Sequence, residues 1–239
     1  MKLEVLWNDN DYVIINKPSG LLSISDRFDA TIPSAYHELL KQFPGLLVTH
    51  RIDRDTSGCL SFAKHPQAHQ FLNRLLEQRK VHKVYHAWVH GSLATPSGFI
   101  KDPIMEHPAK NGKMMVHQKQ GKEAITEYQV LEDFGKFSYV ACTLHTGRTH
   151  QIRLHLSNIG NPIIGDAMYG LTNPVFVSSL KRNYHLSKLA EEEKPLLNRL
   201  ALHAFSFSFQ KEDGTQVSAE APLPKDMQAM LKQCLKWMR

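Results

Sequence analysis

The sequence predicts an α+β fold built on a largely antiparallel sheet. Two observations lead there. Short period-two or β-branched apolar stretches recur from Leu3 to Phe209, separated by Gly, Pro and Asp turns. Segments with a 3.6-residue apolar period are few, and neither an internal repeat nor a composition shift marks a linker. The expected organisation is therefore one domain over residues 1–239.

The elements follow in order. Leu3, Val5 and Trp7 alternate with polar residues as in a half-buried strand, and Asn8 to Asp11 is a turn. Tyr12 to Ile15 reads as a buried strand that stops at Asn16-Lys17-Pro18-Ser19-Gly20. A short helix is expected over 35–42, then a buried strand from Cys59 to Ala63. Ala68, Phe71, Leu72, Leu75 and Leu76 lie on one face of an amphipathic helix. From Val81 to Val89 the period returns to two, with Lys83 and Tyr85 on the same face.

Residues 101–123, rich in Lys and His, read as a long loop or a hairpin, either functional or a solvated excursion. Strands are expected over 124–131 and 137–144, and a helix over 148–158. Residues 171–200 read as irregular or partly helical. A strand spans Leu202 to Phe209. Pro224 opens a last helix, with Met227, Met230, Leu231 and Leu235 on one face.

Composition narrows the class. A 42% hydrophobic and 22% charged chain is ordinary for a globular protein and argues against extended disorder. The net charge of +6 favours a polyanionic partner without requiring one. Three cysteines, with no CxxC spacing, indicate neither a disulfide framework nor a zinc site and suit a reducing compartment. The polar N-terminus and the lack of a long apolar stretch make the cytoplasm the expected location.

Three segments concentrate chemistry. His50-Arg51-Ile52-Asp53-Arg54-Asp55-Thr56-Ser57-Gly58 sets a highly polar loop directly before a core strand. It is either a site or a turn whose side chains satisfy their own backbone. Asp53 and Asp55 are a possible carboxylate pair for chemistry at a sugar carbon. Lys83-Val84-Tyr85 holds either a core tyrosine with its hydroxyl at the edge or, as Lys83 on the same face argues, a ring that stacks on a nucleobase. Leu144 to Leu156, LHTGRTHQIRLHL, joins a strand to a helix through Gly147. The helix start, with Arg148 and Thr149, would attract phosphate. His145, His150 and His155 are five apart and do not share a helix face, so no metal is expected.

Together these segments resemble the RluA family of RNA pseudouridine synthases. HRIDRDTSG is similar to the signature around its catalytic aspartate, KVY to its tyrosine motif and LHTGRTHQIRLHL to its third motif. NKPSG, GDAMYG (165–170) and LHAFSF (202–207) also fit, in family order from Asn16 to about Pro224. Ile52 stands where leucine is common, a conservative change.

The resemblance implies the pseudouridine synthase fold, a central mixed and mostly antiparallel sheet flanked by helices and loops, with an RNA-binding cleft across it. It implies isomerisation of uridine in structured RNA, ribosomal or transfer, by a monomer without metal or organic cofactor. Asp53, Tyr85 and Arg153 match the catalytic residues. Arg51 matches the arginine that enters the RNA stack when the target flips out. Leu154 would line the uracil pocket, and His50, Lys17, Arg148, Thr149 and His150 complete the substrate-binding set. Asp53 and Arg153 are expected to pair within about 4 Å, with Tyr85 facing the same cleft. Family members often carry a small helical RNA-binding domain in front. Here the first strand begins at Leu3, so none is expected, and residues 101–123 and 171–200 are the candidates for gripping RNA. Two alternatives remain: a non-catalytic RNA-binding protein on the same fold, and a nucleoside hydrolase using Asp53 and Asp55.

Overall fold

The regular elements run along the chain as β1 (Glu4–Asn8), β2 (Tyr12–Lys17), α1 (Ala35–Leu40), β3 (Leu47–Val48), β4 (Ser57–Ala63), α2 (Pro66–Glu77) and β5 (His82–His90). Then come β6 (Ser97–Ile100), β7 (Ile104–Glu106), β8 (Met114–Val116), β9 (Thr126–Asp133), β10 (Phe137–Leu144) and α3 (Gln151–Asn158). The last are β11 (Leu202–Gln210), β12 (Gln216–Glu220) and α4 (Lys225–Trp237). A computed structural model describes residues 2–26, 29, 31–110, 112–186 and 192–238. It divides into two units: 1–85 with 143–146 and 203–222, and 86–142 with 147–202 and 223–239.

In the first unit the β-branched run of β2 pairs antiparallel with β4, from Tyr12 opposite Ala63 to Lys17 opposite Gly58. β1 flanks β2, β11 flanks β4, and β12 closes a hairpin on β11. The β4–β11 pairing is parallel, with His203 opposite Ser57 and Ala204 opposite Gly58, so this sheet is mixed and mostly antiparallel. β4 is buried along its whole length. Gly58 has φ +108°, and a Cβ there would stand 2.2 Å from the Ala204 carbonyl oxygen, so only glycine allows this approach.

α2 buries Ala68, Leu72 and Leu75, the face that the apolar period predicts. A fully buried leucine such as Leu72 contributes about 1.5–3 kcal/mol. The helix starts at Pro66, behind a His65 ring that accepts the Ala68 N–H. The Tyr12 hydroxyl donates to the Ala68 carbonyl at 3.0 Å and ties α2 to β2.

The second unit builds its core around Trp88, which packs on Tyr139 with ring centroids 5.0 Å apart. β10, β9 and β6 follow one another in its sheet. Residues 101–123 form a hairpin, with Ile104 opposite Val116 and Glu106 opposite Met114. α3 begins at Gln151, later than the expected 148, because the Gln151 side-chain oxygen accepts the Arg148 N–H and closes a turn before it. Pro224 opens α4 as expected, and Arg199 grips Asp226 in its first turn through two hydrogen bonds of 2.6 and 2.7 Å. Its buried stripe is Met227, Met230 and Cys234; Leu231 and Leu235 sit at the margin, only half-buried.

Three short strands, β3, β6 and β12, escaped the sequence reading because two to five residues carry too little period. Within 171–200 the described residues hold one 3-10 turn, Val177–Ser179, and a bridge between Val175 and Leu197; residues 187–191 of that segment lie outside the described ones. Among the described residues no helix is long and apolar enough to cross a membrane.

Candidate active site

The loop that leads into β4 is held from outside. Segment 17–23 meets its backbone on both sides of Asp53. The Ser23 hydroxyl donates to the Ile52 carbonyl at 2.7 Å and accepts the Ile52 N–H at 3.1 Å. The Arg54 carbonyl accepts from the Gly20 N–H and from the Lys17 ammonium, each at 2.9 Å. Arg54 Nε returns a bond to the Gly20 carbonyl, and the Ser19 hydroxyl donates to the Asp55 carbonyl. The polar residues are thus not a turn that satisfies only itself. Two pinned neighbours present the half-buried Asp53 side chain.

Lys17 belongs to this scaffold. It is fully buried, and its ammonium also donates to the carbonyls of Pro18 and Leu21 at 3.0 and 2.7 Å. Lys17, expected among the substrate-binding residues, thus donates to three carbonyls of its own unit. Arg51, one residue before Ile52, is exposed.

Tyr85 lies on β5 and is almost fully buried. Burial pushes its phenol above the ordinary value of 10, and the negative charge of Asp53 pushes it further the same way. Both effects oppose the phenolate, so the phenol stays protonated. Two residues earlier, burial pulls the Lys83 ammonium down.

His50 is fixed rather than open. Its ring stacks on Phe207, with centroids 4.9 Å apart and planes 5° apart, and its Nε2 accepts the Ser61 N–H at 3.2 Å. Burial and the nearby Lys83 charge lower its pKa to about 3, so the ring is neutral, as its acceptor role requires.

In the second unit α3 carries the other expected residues. Arg148 and Thr149 are exposed at its entrance, with Arg148 Nε donating to the Glu123 carbonyl. His150 takes a left-handed backbone, φ 53°, at the N-cap, and its Nδ1 meets the Tyr169 hydroxyl at 2.9 Å. Leu154 packs in an apolar cluster with Ile104 and Ala124. His155 is buried, with one ring nitrogen on the Thr126 hydroxyl and the other on the Asp102 carbonyl.

Arg153 is gripped by Asp166. Nε and Nη2 donate to the two carboxylate oxygens, each at 2.8 Å. The guanidinium also lies over the Tyr169 ring, 5.3 Å from its centroid. Burial would push the Asp166 carboxyl up, but Arg153 and the N–H groups of Met168 and Tyr169 outweigh it and hold the group ionised. Neither Asp166 nor Tyr169 was assigned a role from sequence, although both lie in GDAMYG; the signal available there was an aspartate three residues before a tyrosine within a recognised motif.

The structure thus gathers Lys17, His50, Arg51, Asp53 and Tyr85 in one unit and Arg148, Thr149, His150, Arg153 and Leu154 in the other. Asp53 and Arg153, expected from sequence to pair, belong to different units. The first unit thus holds a half-buried carboxylate on a fixed loop and a buried phenol whose ionisation that carboxylate's charge opposes, a pair of groups that suits covalent or proton-transfer chemistry on a flat ring.

Residues 11–158 match the model of a family described as RNA pseudouridylate synthase. An uncharacterized RNA pseudouridine synthase of Chlorobaculum parvum is 39% identical over 96% of this chain and 73% of its own length. A ribosomal large subunit pseudouridine synthase D of Nitrosomonas europaea is 37% identical over 96% of this chain; the chain spans 64% of that relative's length. The solved structure of human RNA pseudouridylate synthase domain containing 1 superposes with a TM-score of 0.69 at 26% identity, over 92% of this chain and 83% of the other. The chain shares the fold of these synthases.

Proposed function

The chain belongs to the RluA-type family of RNA pseudouridylate synthases, which are isomerases, and from that premise we propose that it converts specific uridines of structured RNA to pseudouridine with Asp53 as the reacting carboxylate. The observation that carries this reading is the Asp53–Tyr85 relation: a carboxylate on a pinned loop whose charge reaches a buried, protonated phenol.

The reaction breaks the bond from uracil N1 to the sugar C1′, the electron pair staying on N1; it then turns the uracil, joins C5 to C1′, and releases the C5 proton to solvent while N1 takes up a proton. Ionised Asp53 starts it, either by attack on C1′ or by removal of the 2′ proton to give a glycal. Tyr85 stacks on the detached uracil and keeps it in place while it turns. Arg153 supplies the cation of the reaction centre. The target leaves its stack at a cost of about a few kcal/mol, and exposed Arg51 fills the gap.

RNA of the large ribosomal subunit, named for the relatives, is the first substrate to assay. The exposed Lys110, Lys119 and Lys122 around the β7–β8 hairpin supply phosphate contacts. Pseudouridine mapping of RNA from cells with and without the gene tests the reading. Specific sites should vanish in the deletion, return with the wild-type gene and stay absent with Asp53→Asn. Sites restored by Asp53→Asn, or no site lost, would overturn it.

A further inference from the structure

We propose that Asp166 and Tyr169 are positioning residues that set the orientation of the Arg153 guanidinium, and that Tyr169 links this orientation to the basic hairpin. The proposal rests on the synthase reading above and deepens it.

An arginine on a helix surface has four rotatable side-chain bonds, and a useful cation must be confined among them. Two restraints confine Arg153. Its two 2.8 Å bonds to Asp166 fix the plane of the guanidinium and commit Nε and Nη2. The Tyr169 ring covers that plane from one side. Asp166 is itself immobilised: one of its oxygens accepts the Met168 and Tyr169 N–H groups at 2.9 and 3.1 Å. Gly165, at φ +73°, lets the turn that carries Asp166 pass against Arg199, where a Cβ would stand 2.2 Å from a carbonyl oxygen.

Tyr169 also touches the hairpin. Its hydroxyl accepts the Met114 N–H at 2.7 Å, and Lys113 donates to the Met168 carbonyl at 2.9 Å while lying over the same ring, 5.3 Å from its centroid. Met114 and Val116 pack with the ring against Ile104 and Leu154. A load on the hairpin therefore reaches the ring that covers Arg153 through direct contacts.

The test uses the full chain, with RNA extracted from cells lacking the gene as substrate. Tritium released from C5-labelled uridine measures turnover. Asp166→Asn should lower kcat about tenfold or more and leave the KM for RNA within about twofold. Tyr169→Phe keeps the ring and loses the bonds of its hydroxyl to Met114 and His150, so it should raise KM more than it lowers kcat. In an Arg153→Lys background, where no two-pronged grip forms, Asp166→Asn should add less than about twofold. Equal kcat for Asp166→Asn and wild type, or full additivity with Arg153→Lys, would overturn the proposal. If Asp166→Asn fails to fold, Tyr169→Leu in both backgrounds decides in the same way. Wild-type turnover and its loss in Asp53→Asn serve as controls. If either control fails, the synthase reading falls; if both hold and the Asp166 series does not behave as stated, only the positioning proposal falls.

Discussion

The ammonium of Lys17 lies 2.9 Å from the carbonyl oxygen of Arg54, inside a fully buried side-chain environment. A cation in the interior is tolerated only with its donors satisfied, and here three carbonyls satisfy them. One of those carbonyls adjoins Asp53. The energetic cost of burying the charge is thereby coupled to the position of the Asp53 carboxylate.

Lys17→Met takes the ammonium from the carbonyls of Pro18, Leu21 and Arg54, of which Arg54 keeps the Gly20 N–H. Each unmet group costs about 1–3 kcal/mol, so the variant should lose at least that much stability in urea unfolding. Turnover should fall further than stability explains, since the loop loses its anchor one residue from Asp53. A variant with wild-type unfolding and wild-type turnover would show the anchor to be idle.

Tyr85 should stay protonated beyond the ordinary tyrosine range, because burial and the Asp53 charge both oppose the phenolate. Ultraviolet titration of wild type against Tyr85→Phe should find one tyrosine ionising above pH 10. In Asp53→Asn the opposing charge is gone, and the same step should move to lower pH. An unmoved step would mean that the two groups do not face each other.

His50 gives the acid limb of stability a definite sign. Its pKa falls from the ordinary 6.5 to about 3 in the folded chain. Above pH 6.5 both states hold it neutral and its contribution is complete. Below that, the unfolded chain gains a proton that the folded one refuses, so stability drains away as pH falls from 6.5 toward 3. His50→Gln should flatten that part of a urea-unfolding series between pH 7 and 4. A slope equal to wild type would remove His50 from the account.

The hairpin lysines make a salt-dependent prediction. Replacing Lys110, Lys119 and Lys122 with Gln should weaken RNA binding and reduce the slope of log affinity against log salt by about two to three, one phosphate contact for each lysine. Thermal stability should stay near wild type, since all three side chains are exposed. An unchanged slope in a filter-binding series would place the RNA elsewhere.

The sequence by itself determined a good deal. The alternation of β1, the β-branched run of β2 and the 3.6-residue stripe of α2 are local patterns, and local patterns survive in a string of letters. The motif around Asp53 and the tyrosine of KVY were legible for the same reason, since each is a contiguous run. Gly58 was visible as a motif letter, yet the need for it appears only where β4 meets Ala204 across a parallel pairing. Lys17 read as a cation for substrate because sequence gives charge without burial; the fold turns its ammonium toward three carbonyls. Asp166 and Tyr169 sat unassigned in GDAMYG, thirteen and sixteen positions beyond Arg153. Only the path of the chain after α3 brings their carboxylate and ring onto that guanidinium. Period and composition fix which residues are available, while contacts between residues distant in sequence decide which of them act together.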